Sequence, residues 1–180
     1  MTSTNLSSSP SSGDRSLSDR SLSDSSLHPT APLSLHVHVG EGATPPRRAH
    51  PSDAGLDVWV VSFEERGEGL FFFETNLTLA PPQGYYVEVV PRSSIVWRGF
   101  ILPNSVGIID PSYRGTLKVP LRYLGSGDAL KEAQALVGQR VVQLILRRAH
   151  ACEVLTCELA ELPPADDERS EGGFGSTGAV

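Results

Sequence analysis

Apolar and polar residues alternate over residues 33–39, where four aliphatic side chains are separated by one serine and two histidines. Successive side chains of a β-strand point to opposite faces, so this pattern predicts a half-buried strand. Similar short runs recur along the chain, with glycine, proline, asparagine and aspartate between most of them. They predict further strands over residues 56–62, 69–73, 76–79, 85–90, 106–109, 115–124, 140–148 and 152–159.

Many short strands at close spacing are typical of all-β domains, so the sequence predicts a sandwich, a jelly roll or a barrel-like fold. One segment differs in composition. Residues 128–136 contain helix-forming residues, but the segment is short and runs into Gly138. Because short helices are marginal without tertiary support, we do not expect a stable helix there.

The N-terminal residues differ in composition from the rest of the chain. Twelve of the first thirty residues are serine, and an Asp-Arg-Ser-Leu-Ser unit occurs at residues 14–18 and 19–23. Such a segment buries too little apolar surface to offset the entropy of ordering it, so residues 1–31 are expected to form a disordered tail. A phosphorylated or targeting tail is the alternative, although its acidic residues argue against a transit peptide. The remaining expected regions are a β-rich domain over 32–163 and a flexible glycine-rich arm over 164–180.

Charge and hydropathy restrict the class of protein. The formal net charge is −6 and the pI is about 5.3, whereas binding to a nucleic-acid backbone requires clustered cations. No apolar run reaches the ~18 residues that span a bilayer, and the first residues lack the apolar stretch of a secretory signal. We therefore expect a soluble intracellular protein that binds neither nucleic acid nor membrane. Cys152 and Cys157 are expected to be reduced, because their odd spacing places them on opposite faces of a strand.

The last residues of the chain combine groups that suit a flat, anionic ligand. Four glycines, two hydroxyls and one phenylalanine lie within residues 172–178, and Arg169 precedes them. Glycines let backbone N–H groups approach an anion closely, and the aromatic ring offers a stacking surface. Taken alone, this segment is either a disordered remnant or a mobile arm that closes over a nucleotide.

Three further polar clusters lie next to predicted strands. Residues 52–57 form a turn of small residues that ends in a carboxylate. Residues 91–94, Pro-Arg-Ser-Ser, gather a cation, two hydroxyls and turn N–H groups, which suits a phosphate chain; a serine-capped helix start is the alternative. Within residues 104–115, an apolar run leads to Asp110, whose carboxylate can activate a water, and Tyr113 offers a flat face for a sugar or base. A purely structural turn is the alternative for this last cluster.

Taken in order, these clusters resemble the five signature motifs of the homotrimeric dUTPases (deoxyuridine triphosphate nucleotidohydrolases). The corresponding segments are Ala54–Asp57, Pro91–Ser94, Gly107–Gly115, Gly138–Leu144 and Arg169–Gly178, and the resemblance spans residues 33–180. It implies an all-β, jelly-roll-like fold, a homotrimer and a swapped C-terminal arm. It also implies hydrolysis of dUTP to dUMP and pyrophosphate with Mg²⁺, which limits uracil incorporation into DNA and supplies dUMP for dTTP synthesis.

The resemblance implies a role for each matching residue. Asp110 is implied as the base that deprotonates the attacking water, and Asp57 as a residue that contacts Mg²⁺ through water. The residues implied to hold the phosphate chain are Arg92, Ser93, Ser94 and Gln143. Those implied to form the uracil and deoxyribose site are Asn104, Tyr113 and the backbone of Ile108, Ile109 and Lys118. Those implied to belong to another subunit's arm are Arg169, Phe174, Gly175, Ser176 and Thr177.

The chain departs from the family pattern at a few positions. Ser94 stands where the second motif usually has glycine, and residues 124–137 form a longer connection than is usual before the fourth motif. The related dCTP deaminases carry a catalytic glutamate on the strand after their Ile-Asp-Pro, whereas that position here is Pro120. Two alternatives to a dUTPase remain: a deaminase-like enzyme, and a catalytically silent nucleotide-binding relative that regulates a partner.

Overall fold

Three β-sheets make up most of the structure, a computed structural model that describes residues 33–165. The strands are β1 His36–Val39, β2 Leu56–Trp59, β3 Ser62–Glu65, β4 Leu70–Glu74, β5 Leu77–Ala80, β6 Tyr85–Pro91, β7 Phe100–Ile101, β8 Gly107–Ile109, β9 Lys118–Tyr123 and β10 Arg140–Arg148. The helical elements in this range are α1 Ala129–Gln134 and the 3₁₀-helices Ser93–Arg98 and Leu159–Glu161. None of these helices has the length and hydropathy of a membrane span.

Neighbouring strands pair in antiparallel fashion throughout the described residues. One four-stranded sheet has the order β2-β10-β6-β8, and a second has the order β3-β4-β9-β7. The remaining pair is β1-β5. The prediction of an all-β fold is therefore confirmed.

The hydrophobic core contains side chains from all three sheets, among them Val58, Phe71 and Leu77. Alternation places them there: Phe71 and Phe73 of β4 are fully buried, while the intervening Phe72 is only half-buried. Burying one such side chain contributes roughly 1.5–3 kcal/mol, so this cluster is a main source of the fold's stability.

Residues 56–62 were predicted as one strand, but the structure divides this run between β2 and β3. The N–H of Val60 donates to the carbonyl of Gln139 at 3.1 Å, and the N–H of Val61 donates to the carbonyl of Glu74 at 2.8 Å. Gln139 precedes β10 and Glu74 ends β4. The chain therefore passes here from one four-stranded sheet to the other, a change of partners that alternation alone does not reveal.

The expectation that residues 128–136 form no stable helix was wrong, because α1 occupies most of this segment. The carboxylate of Asp128 accepts a hydrogen bond of 3.1 Å from the N–H of Lys131 and caps the helix. Ala133 and Leu136 are buried in the core. The cap and this burial supply the tertiary support that so short a helix needs.

The prediction of a strand over residues 152–159 was also wrong. The β10 ladder ends at Arg148, and residues 150–158 have no regular secondary structure. A strand needs a partner for its backbone groups, and none of the described residues pairs with this segment. Cys152 and Cys157, which were predicted to lie on opposite faces of that strand, are both free and exposed in this irregular segment.

Candidate active site

The strand order β2-β10-β6 places three predicted motifs side by side. Gln143 of β10 lies in register with Asp57 of β2 on one side and with Val90 of β6 on the other. Arg92 follows directly after β6. Side chains in register on neighbouring strands lie close together, so a carboxylate, an amide and a guanidinium converge at this place.

Asp57 is a buried carboxylate held between two arginines. One carboxylate oxygen accepts a hydrogen bond of 2.8 Å from Nε of Arg92, and the other accepts one of 3.0 Å from a terminal nitrogen of Arg140. The side chain of Asp57 is only 9% exposed. A lone buried charge would be strongly unfavourable, and the two charge-assisted hydrogen bonds offset that cost.

These residues border the Asp57 cavity, which has a volume of about 240 Å³. Its lining residues are Ala49, Asp53, Ala54, Gly55, Asp57, Arg92, Ser93 and Gln143. Gly55 permits a close approach, since a Cβ there would lie 2.1 Å from Oε1 of Gln143 and 3.0 Å from its Cβ. A larger residue at position 55 would therefore displace Gln143. A guanidinium, an amide and a hydroxyl in one cavity suit a phosphate chain.

A second space, the hairpin cavity, lies along β8 and has a volume of about 280 Å³. Its lining residues are Asn104, Gly107, Ile108, Ile109, Asp110, Tyr113, Leu117 and Lys118. Among the strands of residues 33–165, β8 lies at the edge of its sheet and has β6 as its one partner. An edge strand presents unpaired N–H and C=O groups, which can hydrogen-bond the edge of a flat polar ligand. Asp110 follows β8 directly and is exposed, so water can reach its carboxylate.

The ring of Tyr113 lies over Gly115 at this cavity. The N–H of Tyr113 donates to the carbonyl of Asp110 at 3.1 Å, which closes a turn. A Cβ on residue 115 would lie 2.2 Å from the hydroxyl oxygen of Tyr113. Glycine at position 115 therefore allows the tyrosine to occupy this place, where 46% of the residue remains exposed.

Lys118 borders the hairpin cavity, but its ammonium is engaged elsewhere. Lys118 of β9 is in register with Glu74 of β4, and Nζ lies 2.5 Å from a carboxylate oxygen of Glu74. The hydrogen bond to Glu74 raises the pKa of Lys118 above its ordinary value of 10.5. With the side chain held in this way, the backbone of Lys118 is the group available to a ligand.

The structure divides the predicted site residues between separate cavities. Asp57, Arg92, Ser93 and Gln143 line the Asp57 cavity, whereas Asn104, Ile108, Ile109, Asp110, Tyr113 and Lys118 line the hairpin cavity. Ser94 lines a third cavity, which also includes Arg92. The Asp57 and hairpin cavities have no lining residue in common. Arg169, Phe174, Gly175, Ser176 and Thr177 lie outside the described residues.

Comparison with known proteins decides the family. The dUTPase family model matches residues 41–178. This chain belongs to the dUTPase family. It is 36% identical over 139 residues to the deoxyuridine 5'-triphosphate nucleotidohydrolase of Thermobifida fusca, a match that covers 74% of this chain and 72% of that protein. It is 35% identical over 153 residues to the protein of the same name from Solibacter usitatus, covering 84% and 91% of the two chains.

A solved dUTPase structure agrees with the fold. The Staphylococcus bacteriophage 80alpha dUTPase with dUPNHPP superimposes with a TM-score of 0.67 and 22% sequence identity, covering 81% of this chain and 99% of that one. This likeness confirms the all-β, dUTPase-like fold, whereas membership in this family of enzymes is shown by the family model and the sequence relatives.

Within this dUTPase fold, the structure adds Arg140 and Trp59 to the residues around Asp57. Arg140 matches a family motif in the sequence, but its partner Asp57 lies 83 residues away. Trp59 lies opposite Arg140 in the β2-β10 register. The guanidinium carbons of Arg47 and Arg140 lie 5.1 and 5.7 Å from the centre of the Trp59 ring. Cations at this distance are attracted to an aromatic face, so Trp59 helps to hold Arg140 in place.

Proposed function

We propose that this chain hydrolyses dUTP to dUMP and pyrophosphate, and so limits uracil incorporation into DNA and supplies dUMP. Membership in the dUTPase family over residues 41–178 is the observation that carries this assignment. The site geometry supports it, because a cavity suited to phosphate and a cavity bordered by an edge strand both lie on motif residues.

Asp110 is the proposed general base. It follows the edge strand β8, lines the hairpin cavity and is exposed to water. A carboxylate in this place can orient a water and accept its proton as the oxygen attacks the α-phosphorus. Most of the rate enhancement then comes from positioning the triphosphate and neutralising its charge, as in other phosphoryl transfer reactions.

The hairpin cavity is the proposed site for uracil and deoxyribose. The backbone groups of Ile108 and Ile109 that do not bond to β6, with the backbone of Lys118 and the amide of Asn104, can match the alternating donors and acceptors of the uracil edge. The half-exposed ring of Tyr113 offers a flat face to the deoxyribose. The close walls of such a hairpin would exclude the methyl group of thymine.

The phosphate chain is proposed to bind Arg92, Ser93, Ser94 and Gln143. Arg92 is fixed through Nε by Asp57, and one of its terminal nitrogens contacts Ser94 Oγ at 3.5 Å and the carbonyl of Arg140 at 3.3 Å. Its other terminal nitrogen has no hydrogen-bond partner among the described residues. A guanidinium held by its inner nitrogen presents its outer N–H groups to a phosphate without first losing side-chain entropy.

Mg²⁺ is the proposed cofactor, and the donor set fits an indirect contact. Both carboxylate oxygens of Asp57 already accept hydrogen bonds from arginines, and the described residues contain no group of three metal-ligating side chains. Each carboxylate oxygen keeps a further lone pair for a water molecule. Mg²⁺ retains several waters and binds chiefly through substrate phosphates, where it would neutralise charge on the triphosphate. Asp57 would hold it through such waters.

A homotrimer is proposed as the active form, with residues 1–31 as a tail outside the catalytic domain and residues 164–180 as the arm. Membership in the dUTPase family, whose homotrimeric members use a swapped C-terminal arm, supports a site completed by more than one copy. Arg169 and Phe174 would close it from another subunit, with Gly175, Ser176 and Thr177 beside them. Removal of residues 169–180 should leave a folded oligomer whose rate of dUTP hydrolysis is much lower. Full activity of the truncated protein would show that the arm is not needed for hydrolysis.

The activity is tested by measuring pyrophosphate release from dUTP, dTTP, dCTP and UTP with Mg²⁺. We expect rapid release from dUTP alone. Absence of release from dUTP would refute the assignment, and ammonia release from dCTP would replace it with deamination. That second outcome conflicts with Pro120, which lies within β9 where the deaminases carry their glutamate and has no proton to transfer.

The role of the base is tested with Asp110→Asn. This variant should bind a non-hydrolysable dUTP analogue normally, but its kcat should fall by about 100-fold or more, the usual contribution of a general base. Asp128→Asn is the matched control, because Asp128 caps α1 and asparagine caps helices equally well. Equal turnover of the Asp110→Asn variant and the wild type would exclude Asp110 as the base.

A further inference from the structure

Trp59, on β2, contacts a residue that holds Asp57 but lies outside the three cavities. The ring belongs to a half-buried residue, and the guanidinium carbon of Arg140 lies 5.7 Å from its centre. Arg140 in turn donates a hydrogen bond of 3.0 Å to Asp57. Trp59 is not among the residues that line the Asp57 cavity, the hairpin cavity or the third cavity. Its connection to the site therefore runs through Arg140.

An irregularity in β10 brings Arg140 to the face of the sheet that carries Trp59. Arg140 pairs with Trp59. The next pair in register is Val142 with Val58, which leaves Val141 without a partner on β2. Because side chains alternate between the two faces of a strand, a regular β10 would place Val141 opposite Trp59 and turn Arg140 to the other face. The extra residue of this bulge therefore brings the guanidinium to the ring.

The two bulge residues also fix Arg92. The carbonyl of Val141 accepts a hydrogen bond of 3.2 Å from the backbone N–H of Arg92. The carbonyl of Arg140 accepts one of 3.3 Å from a terminal nitrogen of the Arg92 side chain, whose Nε donates to Asp57 at 2.8 Å. Arg92 and Arg140 thus share one carboxylate, so the position of each guanidinium depends on where the other binds.

The Trp59 ring favours the position of Arg140 at this carboxylate. The Arg140 side chain is 39% exposed and gives Asp57 one hydrogen bond, so water competes for its guanidinium. A cation is attracted to the electron-rich face of an aromatic ring, most strongly to that of tryptophan. The contact with the ring therefore opposes the movement of Arg140 into solvent.

We propose that Trp59 is a positioning residue, which keeps the outer N–H groups of Arg92 directed at the triphosphate. It acts through Arg140 and Asp57 and touches no part of the nucleotide. Without the ring, Arg140 leaves the buried carboxylate, and Arg92 turns its outer N–H groups from the phosphate chain to that carboxylate, because a buried charge must be paired. This inference rests on the proposed function, in which Arg92 binds the phosphate chain.

Steady-state kinetics with dUTP and Mg²⁺, together with calorimetric binding of a non-hydrolysable dUTP analogue, test this role. Trp59→Leu removes the ring but keeps an apolar side chain. It should raise the KM for dUTP and the Kd of the analogue about three- to fivefold, the effect of one cation–π contact. The kcat should change by less than about twofold, because Asp110, the proposed base, lies in the hairpin cavity. Trp59→Phe keeps an aromatic face and should recover most of the affinity.

A double-mutant cycle tests the route through Arg140. In an Arg140→Gln background, Trp59→Leu should cause no further rise in KM, because the residue through which the ring acts is gone. Phe72→Leu is the matched control. Phe72 is also half-buried, its ring centre lies 5.7 Å from the guanidinium carbon of Arg66, and neither residue lines any of the three cavities. The KM of this control should equal that of the wild type.

Fluorinated tryptophans test the same contact with almost no change in side-chain shape. The chain has two tryptophans, so in a Trp97→Phe background the fluorinated residue replaces Trp59 alone. Fluorine withdraws electron density from the ring face, so the Kd of the dUTP analogue should rise with the number of fluorines.

Three results would overturn the inference: a constant Kd across the fluorinated series, a wild-type KM in Trp59→Leu, or an equal effect of Trp59→Leu with and without Arg140. If the wild type binds the analogue but does not hydrolyse dUTP, the proposed function fails, and a Kd that rises across the fluorinated series still supports the role of Trp59.

Discussion

Substitution of Arg140 by glutamine measures how much the ion pair between Arg140 and Asp57 contributes to the stability of the fold. The change removes a charge-assisted hydrogen bond of 3.0 Å to a carboxylate that is 9% exposed, and it removes a cation from the face of Trp59. Arg92 continues to neutralise Asp57 in the variant, at 2.8 Å. The variant therefore measures the contribution of Arg140 while the ion pair between Arg92 and Asp57 is kept.

The expected loss follows from the exposure of the two partners. A hydrogen bond between charged groups contributes roughly 1.5–3 kcal/mol to stability. If Arg140 and Asp57 were both fully buried, losing their hydrogen bond would cost about 3 kcal/mol or more. The Arg140 side chain is 39% exposed, so solvent screening brings the value to about 1.5 kcal/mol. The lost contact with Trp59 adds about 0.5 kcal/mol. The free energy of unfolding should thus fall by about 2 kcal/mol.

Urea denaturation at a fixed protein concentration measures this loss, since the stability of an oligomer depends on concentration. Arg66→Gln is a matched control, because Arg66 also holds a carboxylate at 2.8 Å but both partners are 55% exposed. Its loss should stay below about 0.5 kcal/mol. Equal losses in the two variants would show that burial of Asp57 does not strengthen its ion pairs, and would refute the reasoning.

Two further predictions concern a glycine beside the hairpin cavity and a surface ion pair. Gly115→Ala should push Tyr113 out of place and lower kcat/KM for dUTP by up to about tenfold, while Gly125→Ala, which makes a similar clash with a different tyrosine, should leave kcat/KM unchanged. If Gly115→Ala kept the wild-type kcat/KM, the Tyr113 ring would not contribute to substrate binding. The hydrogen bond from Arg147 lowers the pKa of Glu88 below its ordinary value of 4.5, so Arg147→Gln should raise that pKa. A lowered carboxylate pKa stabilises the fold above pH 4.5, and this stabilisation is lost as the pH falls through the folded-state pKa. The wild type should therefore be more stable than Arg147→Gln near neutral pH, and the two stabilities should converge in acid. An NMR titration of Glu88 checks the pKa directly.

Most strands could be predicted from the sequence because alternation is a local property. The predicted run 85–90 corresponds to β6, Tyr85–Pro91, and 140–148 to β10, Arg140–Arg148. The errors arose where structure depends on distant partners. Residues 56–62 divide because the successive N–H groups of Val60 and Val61 bond to Gln139 and Glu74, and residues 152–158 are irregular because no described segment pairs with them. α1 forms because its short sequence is capped and buried, and burial is a property of the whole fold.

The order and chemistry of the motifs were determined by the sequence itself, and they were sufficient to indicate the family. The residue types also restricted the chemistry, since carboxylates, arginines and hydroxyls at those places suit a nucleotide. Only the tertiary structure decided which of these groups meet. Asp57 joins Arg92 and Arg140, 35 and 83 residues away, because β10 lies between β2 and β6 in the sheet. The strand order also left the Asp57 cavity and the hairpin cavity without a common lining residue. Which strands pair with each other depends on the packing of the complete core, and no local pattern along the chain contains that information.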